Sequence, residues 1–416
     1  MKKGLIILLL AAVVFVTGCE NRDEDIIDIS DIEPIDLSYK MTTELPCVKA
    51  EDVYQVERYE LDWKSYMSTG RPRGYDGENF YFTRGTTYFR HNLDSQYMTK
   101  AVAYNPKTGE EKTLFEKAPT EEEWELFISS AALHNSHFCF FTEKYNSIST
   151  DNPEENQLQY DFYDINLTDN TIYTTTVDKM PGSVKAQAKS GNCLYWGDGI
   201  EEEGKEEPTF FITRYDMETN TFSTFKREAR VPSAYKNGII YFHNGSIYYC
   251  GNEIDPNTGV FYEGDEMLTE TDGFIARQYS DNDNIMYRYW CGEWIPEEED
   301  YKCRGFGYFD EKYNRMDIAQ GVYESEKSEF NSDFVFASET GLMSFNETYD
   351  NTPIIYDIKN NFFAALELEV PSEEHIYGFT TENSVLFYIK GYHDDNSNYF
   401  NPVMYEVTRK SNQEEN

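Results

Sequence analysis

Three tryptophans are the clearest candidates for a binding surface in this sequence. Trp290 and Trp294 flank Cys291-Gly292-Glu293, and Trp196 precedes Gly197-Asp198-Gly199. An exposed indole ring beside acidic and amide groups can stack on a sugar ring. Rings of this kind also pack between strands in a core, which is their commoner use. The sequence therefore offers the three residues as candidate ligand contacts and favours packing for them.

Recognisable catalytic and metal-binding motifs are missing from the sequence. It has no Gly-x-Ser-x-Gly elbow, no phosphate-binding glycine loop and no His-Glu-x-x-His. Its six histidines are scattered, and the run Ser280–Asn284 lacks the glycine and distal glutamate of an EF-hand loop. We predict no catalytic residue, no metal site and no cofactor. Paired acids from distant parts of the chain could still form a carbohydrate-cleaving site.

The N-terminus has the pattern of an export signal. Lys2 and Lys3 precede an unbroken apolar run, Leu5–Val16, which is too short to span a bilayer because about 20 residues are needed. The run ends in Val16-Thr17-Gly18-Cys19. Small residues let the backbone fit a peptidase, and a thiol can accept a diacylglycerol.

This ending resembles the lipobox of bacterial lipoproteins, with valine where leucine is commoner. The resemblance implies that residues 1–18 are a signal peptide and that cleavage precedes Cys19. It also implies at least two acyl chains, palmitate among them, because one chain anchors a protein only marginally. The alternative is an ordinary secretory signal followed by a chance cysteine.

The composition favours strands and excludes nucleic acid as a partner. Aromatic residues make up 16% of the chain, which is typical of β proteins rather than of disordered ones. The net charge of −40 leaves no basic face for phosphate. The acidic runs Glu201–Glu203 and Glu297–Asp300 are better read as solvated loops than as cation sites.

Six further cysteines show no Cys-x-x-Cys spacing, so zinc and thioredoxin-like sites lack support. Several lie in aromatic runs, where cysteine acts as a small apolar residue. Export permits disulfides, and Cys291 with Cys303 is the best candidate pair. The six are Cys47, Cys139, Cys193, Cys250, Cys291 and Cys303.

Two short elements alternate along the chain, seven times each. The first is an aromatic strand preceded by a polar residue, as in Asn79–Phe82, His137–Phe141, Asn192–Trp196, Gly238–Phe242, Asn284–Tyr287, Gly341–Phe345 and Ser384–Tyr388. The second is an apolar or aromatic residue followed by an acid or amide, as in Tyr104-Asn105, Tyr163-Asp164, Tyr215-Asp216, Ile254-Asp255, Phe309-Asp310, Tyr356-Asp357 and Tyr405-Glu406. The repeat length averages near 50 residues.

The second element predicts a tight turn. In Asn105–Gly109 and Asp255–Gly259 the first side chain can cap turn amides, proline presets φ and glycine adopts the left-handed conformation. Such a turn joins antiparallel strands. Each repeat therefore carries an aromatic strand, a variable loop, a second strand, a tight turn and a further strand.

Repeats of this length, built from strands and turns, predict an all-β β-propeller with seven four-stranded blades. Packing blade against blade covers aromatic rows that one blade would expose. A β-sandwich or several small β domains is the alternative, which the strict alternation disfavours. Long insertions are expected on the faces of the propeller, at about 112–134, 144–158, 198–208 and 291–304.

The two chain ends are predicted to join the ring. The last repeat ends near Val407 without room for a fourth strand, and Val53–Leu61 reads as a strand without a blade of its own. Pairing Val53–Leu61 with the strand around Met404–Val407 would close the ring and remove an exposed edge.

The repeat resembles the propellers of secreted lipoproteins of Gram-positive gut bacteria and, in outline, the TolB-like and YncE-like propellers. The resemblance covers about residues 50–410 and implies the fold, but it transfers no catalytic residue. With it, the domains are a signal peptide at 1–18, an acidic flexible tether at 19–49 that carries no packing, the propeller at 50–410 and a polar tail at 411–416.

We expect a lipoprotein held at the cell membrane through its lipid anchor, on the extracellular side or on the periplasmic side of a Gram-negative cell. The propeller would be a non-enzymatic binding or scaffold module for a protein or glycan. The alternatives are an extracellular carbohydrate-active enzyme with its site at the propeller channel, and an accessory subunit of an envelope transporter.

Overall fold

A computed structural model describes the chain in segments. The described residues are 26–35, 45–62, 72–84, 86–87, 99–118, 125–145, 158–177, 187–200, 209–226, 233–235, 238–243, 246–251, 266–270, 274–281, 284–295, 300–309, 315–322, 335–337, 340–346, 352–368, 376–393 and 399–410. They form seven sheets of four or five strands and one two-stranded sheet. We number the seven large sheets I to VII along the chain.

Sheets I to III follow one plan, in which consecutive strands pair as antiparallel neighbours. Sheet I consists of β3 (Gly74–Tyr75), β4 (Phe80–Arg84), β6 (Thr99–Tyr104) and β7 (Glu111–Lys117). Sheet II consists of β8 (Glu125–His134), β9 (His137–Tyr145), β10 (Leu158–Asn166) and β11 (Ile172–Val177), with β5 (Thr86–Thr87) beside β8. Sheet III consists of β12 (Gln187–Ser190), β13 (Cys193–Ile200), β14 (Thr209–Asp216) and β15 (Thr221–Lys226).

Sheets IV and V repeat the plan. Sheet IV consists of β16 (Ser233–Tyr235), β17 (Gly238–His243), β18 (Ser246–Gly251) and β19 (Glu266–Glu270). Sheet V consists of β20 (Phe274–Asp281), β21 (Asn284–Ile295), β22 (Asp300–Phe309) and β23 (Arg315–Val322).

Sheets VI and VII each take a strand from the N-terminal part of the chain. Sheet VI consists of β24 (Val335–Ala337), β25 (Leu342–Asn346), β26 (Pro353–Asp357) and β27 (Phe362–Ala365), with β1 (Cys47–Lys49) parallel to β27. Sheet VII consists of β28 (Ile376–Thr380), β29 (Ser384–Ile389), β32 (Val403–Arg409) and β2 (Tyr54–Glu60). The short helix α1 (Ala50–Val53) links β1 to β2, and β30 (Tyr392–His393) pairs with β31 (Tyr399–Phe400).

The predicted pairing of the chain ends is confirmed. Strand β2 runs antiparallel to β32, with Tyr54 opposite Arg409 and Tyr59 opposite Met404. Beyond this ladder the amide of Leu61 donates to the carbonyl of Pro402 at 2.9 Å. The N-terminal strand is therefore the fourth strand of the last sheet, which would otherwise end at an open edge.

The aromatic strands of the repeat occupy the second position of every sheet, and the third position carries the Tyr-Asp element. Phe80 faces Tyr104 in sheet I, and Leu194 faces Tyr215 in sheet III. In sheet IV the predicted element Ile254-Asp255 lies outside the described residues, as does Asp310 in sheet V. Cross-strand ring pairs of this kind stabilise a sheet, which explains why these two strands carry the periodic signal.

The sequence does not predict the short first strands of several sheets. Strands β3, β16 and β24 contain only two or three residues, too few for a period-2 pattern. The predicted insertions at 112–134 and 291–304 are wrong over most of their length. Strands β7 and β8 occupy much of the first, and β21 and β22 extend into the second from either side.

Buried clusters join neighbouring sheets. One cluster holds Ile355 of sheet VI against Phe387 of sheet VII, and another holds Tyr388 of sheet VII against Phe80 of sheet I. The same packing continues from sheet I to sheet II and from sheet II to sheet III. Strand β16 contacts β12 on one side and β20 on the other, so sheets III, IV and V also touch. This succession of packed four-stranded sheets has β-propeller character.

The tight turns use the predicted chemistry. Asn105 Oδ1 accepts from the amides of Lys107 and Thr108, and Gly109 follows with φ +74°. Asp216 caps its own turn in the same way, and Asn220 takes the left-handed position at φ 54°. Asparagine replaces glycine there because its short polar side chain tolerates that conformation.

The interpretation of residues 19–49 as a tether without packing is wrong for the described part of that range. Residues 26–35 lie against the cluster between sheets VI and VII through Ile27, Ile29 and Ile32. Strand β1 is paired, and Val48 is buried. The isoleucines alternate with acids, so the net charge of this segment hid an apolar side. No helix among the described residues is long and apolar enough to cross a membrane.

Candidate functional site

The two ends of each sheet differ in how the chain crosses them. At one end the first strand connects to the second and the third to the fourth; we call this the turn end. At the other, the loop end, the second strand connects to the third and the fourth leads to the next sheet. Turn-end connections are as short as 135–136 and 217–220, whereas loop-end connections include 146–157, 201–208 and 323–334. In sheet IV the lengths are reversed. Its loop-end connection, 244–245, is short, and its turn-end connection, 252–265, is long.

Two of the candidate tryptophans lie in the second strand of sheet V. Trp290 is opposite Phe274 on one side and Arg304 on the other. Trp294 is opposite Tyr301 and follows an irregularity in the ladder, one residue before the strand ends at Ile295. Trp294 therefore lies at the loop end, next to the acidic connection 296–299.

Trp196 is a core residue, so its assignment as a ligand contact is wrong. Its side chain is 0% exposed. The indole ring meets Phe141 and Phe162 of sheet II edge to face, with ring centres 5.7 Å and 6.5 Å apart. It joins sheets II and III, which is the packing role that the sequence favoured for it.

A buried carboxylate joins sheets II and III at the turn end. Asp164, at the end of β10, has a fully buried side chain. His137 Nδ1 lies 2.7 Å from Asp164 Oδ1, and the Tyr215 hydroxyl of sheet III donates to Asp164 Oδ2 at 2.9 Å. The Tyr215 oxygen is also 2.8 Å from Asn220 Oδ1. The carboxylate thus fixes the neighbouring sheet by a charge-assisted hydrogen bond.

The groups around Asp164 are shifted toward their uncharged forms. Burial and then the negative charge of Asp164 raise the pKa of the Cys139 thiol well above its usual range. The same two causes raise the pKa of Tyr215. Burial lowers the pKa of Lys189 to about 8. A thiol in this environment is a poor nucleophile, so the His–Asp pair beside it stabilises the contact between sheets rather than activating a nucleophile.

His134 should make the stability of the protein sensitive to acid. Burial, and to a smaller extent the positive charges of Lys189 and His137, together lower its pKa from 6.5 to about 4. The folded protein therefore keeps His134 neutral where the unfolded chain binds a proton. The free energy of unfolding should fall as the pH drops from 6.5 to 4, by up to ~1.4 kcal/mol per pH unit from this group.

Urea denaturation at several pH values would measure this effect. His134→Gln keeps a side-chain N–H that can donate to the carbonyl of Gly191, which lies 2.8 Å from His134 Nε2. The variant should lose stability less steeply than the wild type between pH 6.5 and 4. Parallel curves for the two proteins would contradict the assignment.

A second buried carboxylate joins sheets VI and VII. Asp357 is 0% exposed. Its Oδ2 accepts from the Tyr54 hydroxyl at 2.9 Å, and its Oδ1 lies 2.7 Å from Arg409 Nη2. Arg409 also donates twice to the carbonyl of Thr340, at 2.9 and 2.7 Å. Asp357 thereby links β2 and β32, the two paired strands from the chain ends, to sheet VI.

Three buried cysteines are free thiols, Cys47, Cys139 and Cys193, as expected for small apolar residues in strands. Cys291 and Cys303 face each other directly across β21 and β22. Directly opposed residues of an antiparallel pair have Cα atoms about 4.5–5.5 Å apart, within the range of a disulfide.

We predict that Cys291 and Cys303 form a disulfide under oxidising conditions. Each thiol loses a proton and the pair gives up two electrons to an exchanging disulfide, which is reduced to two thiols. Mass spectrometry of a non-reduced digest should show the two peptides joined, and Cys303→Ser should remove that species. Cys193→Ala should leave it unchanged. Full alkylation of Cys291 without prior reduction would contradict the prediction.

Within the described ranges, no group of three or more His, Cys, Asp or Glu side chains is placed to hold a metal ion. Cys19 lies outside these ranges.

Comparison with known proteins gives no family. No protein-family model matches the chain, and no curated protein matches it. Among solved structures, it is similar to the β-propeller domain of the trilobed protease from Pyrococcus furiosus, at 11% identity and a TM-score of 0.47, over 82% of this chain and 95% of that one.

Two further structures show the same level of similarity. The WD40 domain of Toxoplasma gondii coronin has 10% identity and a TM-score of 0.43, over 89% of this chain and 90% of that one. YCF48 bound to D1 peptide has 7% identity and a TM-score of 0.45, over 88% and 100%. The fold assignment rests on the order of the strands and on the packing between sheets.

Proposed function

We propose that this chain is a surface lipoprotein, anchored through Cys19, whose seven-bladed β-propeller is a non-enzymatic binding or scaffold module for a protein or glycan. It would stand on the extracellular side of the cell membrane, or on the periplasmic side in a Gram-negative cell. Sheets I to VII would be the blades. Six contacts between neighbouring sheets support a ring, running from VI through VII and I to V. A contact between V and VI would complete it.

The observation that carries the binding role is the difference between the two ends of the sheets. Tight capped turns occupy most of the turn end, whereas the long connections other than 252–265 of sheet IV leave the loop end. Binding residues are concentrated on loops that a rigid scaffold positions. The connections at the loop end therefore offer the longer segments from which a binding surface could be built.

The charge and the aromatic residues of the loop end limit the chemical classes of ligand that it would bind. The connection 201–208 contains five glutamates and one lysine, and 297–299 adds three more acids. Such a surface repels polyanions and favours a neutral glycan or a basic protein segment. Trp294 lies beside the second of these connections and would supply a stacking surface.

Anchoring is tested by replacing the modified cysteine. Cys19→Ser should move the protein from the membrane fraction to the medium, or leave an uncleaved precursor, because no thiol remains to accept lipid. Cys193→Ala removes a buried thiol of sheet III and should stay in the membrane fraction. Membrane retention of a correctly processed Cys19→Ser protein would refute the anchor.

Binding is tested with the soluble mature protein carrying Cys19→Ser. Titration calorimetry against purified neutral envelope glycans and against basic peptides should give saturable heat with one class. Product analysis of the same mixtures should show the ligand intact. Release of shortened glycan would favour the carbohydrate-active enzyme instead. Trp294→Ala should weaken glycan binding if that ring stacks on a sugar, and Trp290→Ala tests the other candidate ring of the same strand.

A further inference from the structure

The segment that follows the proposed anchor is docked on the folded domain, and we call residues 26–35 the docking arm. The amide of Ile27 donates to Asn360 Oδ1 at 2.9 Å, and the amide of Ile35 donates to the carbonyl of Cys47 at 2.8 Å. Ile27, Ile29 and Ile32 are partly buried against the cluster between sheets VI and VII. The arm is therefore held by contacts at both of its ends.

The arm reaches the domain at the turn end. Asn360 belongs to the turn between β26 and β27, which connects the third and fourth strands of sheet VI. The backbone amide of Asn360 also donates to Asp357 Oδ1 at 3.1 Å. The arm therefore contacts a turn that a buried carboxylate holds in place. The chain therefore leaves toward Cys19 from the turn end of sheet VI.

The distance to the anchor is short. Eight residue steps separate Cys19 from Ile27, so a fully extended chain spans at most ~29 Å. Strand β32 has seven residues, so the turn and loop ends of sheet VII are ~24 Å apart. With the loop end against the membrane, the tether would have to run the whole height of the sheet and remain stretched. With the turn end against it, the tether keeps its conformational freedom.

We propose that the docking arm orients the propeller on the lipid bilayer, with the turn end toward the headgroups and the loop end outward. This rests on the proposed lipid anchor at Cys19. The arm converts a lipid attachment, which by itself fixes only distance, into one that also fixes direction. It presents the long connections to ligands away from the cell surface.

Energy transfer to a membrane label tests the orientation. Asn383 lies in the turn between β28 and β29 and Asn401 precedes β32, so the two exposed residues mark opposite ends of sheet VII. Asn383→Cys or Asn401→Cys would carry a donor dye on the lipidated full chain. The chain would be placed in vesicles of phosphatidylcholine and phosphatidylglycerol containing a headgroup-labelled acceptor. The protein without an added cysteine gives the background.

Transfer should be roughly twofold or more greater from position 383, because the ends are ~24 Å apart. Equal transfer, or greater transfer from position 401, would overturn the orientation. Ile29→Asp with Ile32→Asp should release the arm and reduce the difference while vesicle binding persists. The Cys19→Ser protein separates the two proposals. If it still binds vesicles, the anchor is wrong; if only the anchored protein binds and the labels report equal transfer, the orientation alone is wrong.

Discussion

Deleting residues 20–62 should unfold the protein or drive it to associate. The deletion removes β1, α1 and β2, and with them the fourth strand of sheet VII. It also removes six buried apolar residues, of which Val48, Val53, Tyr54 and Leu61 have the largest side chains. Burial of each of these four contributes roughly 1.5–3 kcal/mol, on the order of 10 kcal/mol together. That is comparable with the whole free energy of unfolding of a domain, about 5–15 kcal/mol.

A series of truncations separates the strand from the segments before it. Deleting 20–25 should be nearly neutral. Deleting 20–45 removes the docking arm and should cost about 1–3 kcal/mol, since its isoleucines are only partly buried. Thermal denaturation would give the melting temperature of each of the three truncated proteins, and size-exclusion chromatography would show whether it associates. If the protein lacking 20–62 has the same melting temperature as the one lacking 20–25 and elutes as a monomer, the N-terminal strand does not stabilise sheet VII.

The strands that carry the repeat could be predicted from the sequence because they bury rings on both sides. Phe140 and Tyr163, for example, stack across β9 and β10 with ring centres 5.2 Å apart. Such strands need aromatic residues in a fixed pattern, and the capped turns between them need Asn or Asp. The N-terminal strand was predictable for a related reason: the last repeat was one strand short.

Other features depend on contacts between distant segments, which no local pattern encodes. The first strands of the sheets are too short for periodicity, as β3 (Gly74–Tyr75) shows. Trp196 ends a predicted strand, and the Gly197-Asp198-Gly199 that follows it suggested an exposed position, but packing against sheet II buries it. The acids around Ile27, Ile29 and Ile32 indicated a solvated tether, although only one side of that segment meets water.

Replacing Asp357 with alanine should destabilise the protein by about 3–5 kcal/mol, because it leaves the partly buried Arg409 guanidinium without its counter-charge. The Tyr54 hydroxyl loses its acceptor, and the amides of Lys359 and Asn360 lose their cap. The same substitution at Asp216 is the matched control. Asp216 caps two turn amides in sheet III, so its loss should cost only about 1 kcal/mol.

The contribution of the ion pair itself is measured by a double-mutant cycle. Asp357→Leu and Arg409→Met should each be strongly destabilising, and the double variant less so than their sum, because no unpaired charge remains buried. Urea denaturation gives the four free energies of unfolding. Additive losses would mean that Asp357 and Arg409 stabilise the protein independently of each other. A coupling of about 1 kcal/mol or more, on the order expected for contacting residues, would show that this ion pair links sheet VI to β32.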